Sequence, residues 1–237
     1  MGKDKIRRFK ENDTFECLYQ PQFQEVFGAT YYMKGQWHER HFKNGNPLVL
    51  ELGCGRGEYT VSLAKKIPQK NFIGVDIKGA RMWRGAKTVT EESIENAAFV
   101  RSRIEFIESV FAPEEVSEIW ITFPDPQMKK QKKRLTATLF LERYKSFLKD
   151  NGIIHLKTDS AFLHNYTLEL VKQNNLELIE ANSDIYGTGR ACELLSIKTR
   201  YEMEFLEKGI KITYLSFRLK KEALLNEPEW DSSAYER

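Results

Sequence analysis

From Pro47 onward the chain alternates short apolar runs with amphipathic stretches. Leu48-Val49-Leu50-Glu51-Leu52 predicts a buried strand that ends in glycines, and residues 58–67 carry Tyr59, Leu63 and Ile67 at helical spacing. A second strand is expected at Phe72–Asp76, a helix over 79–95, a third strand at Ala98–Ser102 and a fourth at Ile119–Phe123, stopped by Pro124. Residues 136–149 fit a helix that buries Leu139, Phe140, Tyr144, Phe147 and Leu148. Asp150-Asn151-Gly152 turns into a fifth strand, Ile153–Lys157. A helix over 161–174, a strand near 176–180, a helical stretch around 199–208 and a last strand over Ile210–Leu219 complete the pattern.

Such alternation predicts an α/β fold: a mostly parallel seven-stranded sheet with helices on both faces. The last strand alternates apolar with polar residues (Ile212, Tyr214, Phe217) and follows its helix through only Lys208-Gly209. It is therefore expected to be antiparallel and at the sheet edge. Around the core region 47–219 lie two flanks. Residues 1–46 have no clean period and open with Lys3, Lys5, Arg7, Arg8 and Lys10, which reads as a mobile basic arm followed by helical material. The tail 220–237 holds three basic and five acidic residues and is expected to be solvated.

Composition narrows the class. In 237 residues, 41% are hydrophobic, enough for a sizeable core, and the net charge of 37 − 34 = +3 rules out a histone-like polycation. No apolar run approaches the ~18 residues of a membrane helix, so no membrane partner is expected. The start Met1-Gly2-Lys3-Asp4-Lys5-Ile6 lacks a signal-peptide apolar region and a myristoylation pattern. Cys17, Cys54 and Cys192 are odd in number and far apart, which speaks against disulfide frameworks and thiolate metal sites. His38 and His41 have no companion cluster, so no metal is expected. The expectation is a reduced, cytoplasmic protein.

Chemistry gathers at the strand ends. After the first strand stands Glu51-Leu52-Gly53-Cys54-Gly55-Arg56-Gly57-Glu58. Glycines at alternate positions let the backbone approach a ligand closely. Asp76 ends the second strand, where a carboxylate can accept hydrogen bonds from both hydroxyls of a ribose. The spacing is Gly-x-Gly-x-Gly, not the Gly-x-Gly-x-x-Gly of dinucleotide sites, and Glu51 would repel a pyrophosphate but suit the sulfonium and amino group of S-adenosylmethionine.

The fourth strand ends in Phe123-Pro124-Asp125-Pro126. Two prolines fix the backbone on either side of Asp125 and make it a stiff carboxylate, expected to point into the crevice that holds the cofactor. Directly after it come Lys129-Lys130-Gln131-Lys132-Lys133-Arg134, five cations in six residues. That run reads as a flexible solvated loop suited to a phosphate-bearing substrate, with affinity falling steeply as salt rises.

With these motifs the sequence resembles the bacterial tRNA (guanine-N7-)-methyltransferase family of class I S-adenosylmethionine-dependent, Rossmann-like enzymes. The resemblance runs from about Leu48 to Leu219 and adds Lys157-Thr158-Asp159 and Thr199-Arg200-Tyr201-Glu202 to the motifs above. It implies an S-adenosylmethionine-dependent methyltransferase domain over 47–219, acting on N7 of a guanine in the tRNA variable loop, at tRNA position 46. It assigns Glu51, Gly53, Gly55, Gly57, Asp76 and Asp125 to the cofactor, and Asp125 also to the active centre. Lys129, Asp159, Thr199, Arg200, Tyr201 and Glu202 are implied to meet the tRNA. For the cofactor contact after the third strand, an ungapped match places Glu105 and a small shift places Arg103; Glu105 is taken. Gln127 stands where the family often has tryptophan.

Two of these assignments carry structural alternatives: Asp159 as a helix cap, and Thr199 with Glu202 as a capping box. The rival functions are a class I methyltransferase for another RNA or nucleobase, and a catalytically idle RNA-binding relative. The choice between monomer and homodimer stays open.

Overall fold

A computed structural model describes residues 2–229, with side chains from Asp4 onward. The chain forms two compact units that divide between Ser117 and Glu118. The expected tail 220–237 is thus described as far as Glu229.

The first unit runs through α1 (Gly2–Asn12), β1 (Leu18–Tyr19), α2 (Phe23–Val26), a π-helical turn (Trp37–Phe42), β2 (Leu48–Leu52), α3 (Glu58–Lys66), β3 (Asn71–Asp76), α4 (Gly79–Glu91), β4 (Ala97–Arg101) and a 3-10 turn (Ile104–Ser109). Its strand order is β1-β4-β3-β2, and the three pairs are all parallel. Every residue of β2 is buried, as expected of a strand covered on both faces. Leu52 stands opposite Val75 and Asp76 opposite Arg101, so the carboxyl ends of β2, β3 and β4 emerge on one side.

The arm expected to be mobile is a docked helix. Asn12 is buried and its amide donates to Gly79 O (2.9 Å), while Glu11 accepts from Trp83 Nε1 (2.8 Å) and Lys87 Nζ (3.2 Å). The Arg7 and Arg8 guanidiniums lie 5.6 and 4.8 Å from the Trp83 ring centre. Polar and cation–π contacts hold α1 to α4, which is why no apolar stripe announced it.

The second unit takes in all but the first two residues of β5 (Val116–Thr122) and continues through a 3-10 turn (Gln131–Lys133), α5 (Thr138–Lys145), β6 (Leu148–Thr158), α6 (Ala161–Gln173), β7 (Leu178–Asn182), α7 (Arg200–Glu207) and β8 (Thr213–Leu219). Its order is β5-β6-β8-β7. β8 is antiparallel to β6, as expected, but it is flanked rather than at the edge: β7 pairs with its other side, also antiparallel. The polar residues that suggested an edge are buried hydroxyls, Thr213 and Ser216, and Thr213 Oγ1 donates to Thr158 O (3.0 Å). The described residues hold eight strands where seven were expected, the extra one being β1. In α5, Leu139 is exposed, not buried; the inward face is Phe140, Leu141 and Tyr144.

His164 on α6 is buried, its Nδ1 has no hydrogen-bond partner among the described residues, and burial depresses its pKa to about 4. The folded chain therefore keeps this ring neutral while an unfolded chain protonates it near pH 6.5. The resulting stability is fully present above pH 6.5 and is lost as pH falls toward 4, by up to about 2–3 kcal/mol. Denaturant midpoints measured across pH 7 to 4 should fall, and His164→Leu should flatten that slope. An unchanged slope would refute the assignment. No helix of the described residues is long and apolar enough to cross a membrane.

Candidate functional site

In the first unit the turn after β2 is drawn tight against β3: Gly53 N and Cys54 N both donate to Val75 O (2.8 and 3.1 Å). Gly53, Gly55 and Gly57 all have positive φ (79°, 57° and 72°), the left-handed region in which side chains are strained. Their surroundings differ. A Cβ at Gly53 would meet nothing within 4 Å, and one at Gly55 only Gly53 O at 4.0 Å. A Cβ at Gly57 would lie 2.5 Å from the Phe99 ring. Two glycines thus border open space that a ligand can enter, and the third is closed by packing.

Gly57→Ala is expected to destabilise the protein by about 2–3 kcal/mol, from left-handed strain plus overpacking against Phe99. Gly53→Ala adds the strain alone and should cost about 1 kcal/mol. Denaturant midpoints compare the two, and equal losses would contradict the packing role of Gly57.

Two of the carboxylates expected to meet the cofactor, Glu51 and Asp76, also hold the local structure. Glu51 is 3% exposed, and its Oε2 accepts from Thr60 N (2.8 Å) and from the Thr60 hydroxyl. It therefore caps the first turn of α3, whose own N-cap, Gly57, has no side chain to do so. Asp76 Oδ2 accepts from Gly55 N (2.9 Å), and its Oδ1 from Lys78 N (2.7 Å). A carboxylate has about four acceptor positions, so these bonds orient each group without exhausting it. Glu105 lies in the turn after β4, exposed and paired with Arg103 (3.2 Å). The two candidates for that position are thus partners of each other.

In the second unit Phe123 directly follows β5 with φ +48°, and its N–H donates to Lys157 O (2.9 Å). That bond sets the ends of β5 and β6 side by side, with Asp125 and Asp159 each two residues beyond it. All peptide bonds among the described residues are trans. Asp125 is exposed, and its Oδ1 accepts from Gln127 N (3.0 Å), closing a small turn. Asp159 is half-buried, and burial raises its pKa. It is not the helix cap: Ser160 holds that place and accepts from Leu163 N (3.2 Å).

The cationic segment departs from a fully solvated loop. Lys129, Lys130, Lys132 and Lys133 are exposed, but Arg134 is only 3% exposed. Its guanidinium lies 4.6 Å from the Phe162 ring centre and 4.3 Å from that of Tyr166, and it donates to Met128 O (3.0 Å). A planar, weakly hydrated cation can be stacked in this way where an ammonium could not.

The motif at α7 resolves into a buried cluster. Thr199 caps the helix, accepting from Glu202 N (3.2 Å). The reciprocal half of a capping box is not made, because the Glu202 carboxylate turns inward. Its Oε2 accepts from Lys157 Nζ (2.8 Å) and its Oε1 from the Tyr186 hydroxyl (2.7 Å). Lys157, fully buried, also donates to Leu195 O (2.7 Å) and Ile197 O (2.9 Å), and burial lowers its pKa. Glu202 thus lies in the core, while Tyr201 is exposed and Arg200 pairs with Glu204 (2.8 Å) on the surface. Sequence reasoning missed Arg134, Tyr186 and the role of Lys157. Only Lys157 left a signal: a lysine at the end of a largely apolar run, Ile153-Ile154-His155-Leu156.

Residues 45–215 match the model of a family described as "Putative methyltransferase". A tRNA (guanine-N(7)-)-methyltransferase of Christiangramia forsetii is 57% identical over 222 residues, covering 92% of this chain and 99% of that protein. One from Bacteroides thetaiotaomicron is 49% identical over 229 residues, covering 97% and 91%. Among solved structures, the 16S rRNA methyltransferase KamB aligns with a TM-score of 0.59 at 12% identity, over 77% of this chain and 92% of that one, a likeness of fold alone.

Proposed function

The chain belongs to the tRNA (guanine-N7-)-methyltransferase family, and on that premise we propose that it transfers the methyl of S-adenosylmethionine to N7 of a guanine in the tRNA variable loop, at position 46, in the cytoplasm. The observation that carries this reading is near-full-length identity of 57% to a curated member.

The first unit suits the cofactor. Open space beside Gly53 and Gly55, next to the carboxylates of Glu51 and Asp76, fits a small cationic nucleoside. Asp76 would take the ribose hydroxyls and Glu51 the amino group. Glu105 is proposed as a further contact. When bound, S-adenosylmethionine supplies an electrophilic methyl group on a sulfonium.

N7 of neutral guanine carries a lone pair, so no residue has to act as a base before transfer. The protein's task is orientation and charge stabilisation. Asp125 and Asp159 are proposed to accept from guanine N1–H and the exocyclic amine, in bonds that strengthen as the ring becomes cationic. The half-buried position of Asp159 and its raised pKa mark a carboxylate kept partly out of water, as such a role requires. Lys129 and its neighbours would meet phosphates, with Thr199, Arg200, Tyr201 and Glu202 supporting the tRNA contact from α7.

The test is label transfer from methyl-labelled S-adenosylmethionine to tRNA transcripts, followed by strand cleavage at 7-methylguanine. A transcript with 7-deazaguanine at the target should take no label there. Label on any other base would overturn the reading, and absence of cofactor binding by calorimetry would favour the idle RNA-binding alternative.

A further inference from the structure

The C-terminal segment was expected to be solvated, yet Glu227 is among the most heavily bonded side chains of the second unit. Its Oε1 accepts from Thr138 N (2.9 Å) and Thr138 Oγ1 (2.8 Å), and its Oε2 from Gln131 Nε2 (3.0 Å) and the Tyr166 hydroxyl. The backbone around it is held as well: Glu227 O accepts from Gln173 Nε2 (3.0 Å), and Asn226 exchanges two bonds with the Asn174 side chain (2.6 and 2.9 Å).

These partners are not arbitrary. Thr138 opens α5, and the residue before it, Ala137, has no side chain that could cap that helix. Glu227 supplies the cap from 89 residues away, with its negative charge at the positive end of the helix. Gln131 sits in the middle of the cationic loop. Tyr166 carries the Arg134 guanidinium on its ring, and Arg134 holds Met128 O. One carboxylate therefore grips the loop directly at Gln131 and, through Tyr166 and Arg134, at its start, three residues beyond Asp125.

We infer that Glu227 is a positioning residue that fixes the shape in which Lys129, Lys130, Lys132 and Lys133 are presented to tRNA. The inference rests on the proposed methyltransferase reading for its substrate, but the docking of the loop does not. Without Glu227 the loop loses its central tether, the lysines sample many arrangements, and ordering them falls to the binding step.

The experiment uses full-length Glu227→Ala, Glu227→Gln and Gln131→Ala. For Glu227→Ala, KM for tRNA should rise about tenfold, the effect of roughly one charge-assisted hydrogen bond, with kcat within about twofold and S-adenosylmethionine affinity unchanged. Glu227→Gln, which keeps acceptor oxygen without charge, should fall between. Gln131→Ala, which removes only the direct tether and leaves the Glu227 cap on α5, should raise KM by about two- to threefold. Brief native trypsin treatment should cut at Lys129–Lys133 faster in the same order, since cleavage tracks the open population. Unchanged KM, or an equal loss of cofactor affinity, overturns the positioning role. Should no tRNA accept methyl, the trypsin order still decides the docking: unaltered cleavage refutes it, and faster cleavage upholds it while the substrate reading alone fails.

Discussion

Asp125→Ala is expected to lose about 10²–10³-fold in turnover, the usual cost of removing one group aimed at charge that develops in the transition state. The local geometry makes this a clean test. Asp125 is exposed and makes one turn bond, to Gln127 N, worth about 0.5–1.5 kcal/mol. The segment on either side is held by Pro124, Pro126 and the Phe123–Lys157 backbone bond, none of which the substitution touches. Stability should barely change, and S-adenosylmethionine should still bind by calorimetry. Asp125→Asn separates the two contributions: its amide oxygen can keep the turn bond while the charge is gone. Single-turnover label transfer from bound cofactor to tRNA reads the chemical step directly. Wild-type turnover in Asp125→Ala would sink the assignment.

Lys157→Met is expected to be the most destabilising substitution considered. Lys157 and Glu202 are both fully buried, and removing the ammonium leaves a carboxylate in the core facing only the Tyr186 hydroxyl and the carbonyls of Leu195 and Ile197 without their donor. Breaking one half of such a pair costs about 3–5 kcal/mol. In a protein of this size that lowers the unfolding midpoint by roughly 10 °C or more. The double variant Lys157→Met/Glu202→Leu should regain most of the loss, because no unpaired charge is left behind. Thermal unfolding followed by near-ultraviolet circular dichroism makes the comparison. A midpoint within about 2 °C of wild type for the single variant would show the pair to be energetically idle.

What could be read in the sequence follows from range. The strands and helices from Leu48 to Leu219 announce themselves through local period, and Glu51, the glycines and Asp76 are found because each lies at a strand end. The features that escaped are those whose partners are distant and polar. Arg134 looks like one more cation of a lysine run until Phe162 and Tyr166 arrive from α6 to stack on it. The helical arm is held by Trp83 through cations and a carboxylate, contacts that leave no apolar stripe. β8 looked like an edge because its polar positions hold Thr213 and Ser216, hydroxyls small enough to be buried between two neighbours. Glu202 satisfied a local capping pattern by its spacing, but a lysine 45 residues earlier claims its side chain.

The Phe99 ring has a consequence for the order of assembly. A Cβ at Gly57, Gly74 or Gly85 would lie within 2.9 Å of that one ring, so three glycines from three parts of the chain are fitted around a residue of β4. The curve of the loop after β2, bonded to β3 at Val75 O and Asp76, is therefore moulded also by a strand made later. During synthesis, β2 and its glycines leave the ribosome with the mould still missing, and the loop remains one of many shapes that glycine allows. A nascent chain that ends before Phe99 has the whole glycine motif in its sequence and lacks the ring that Gly57 is fitted against.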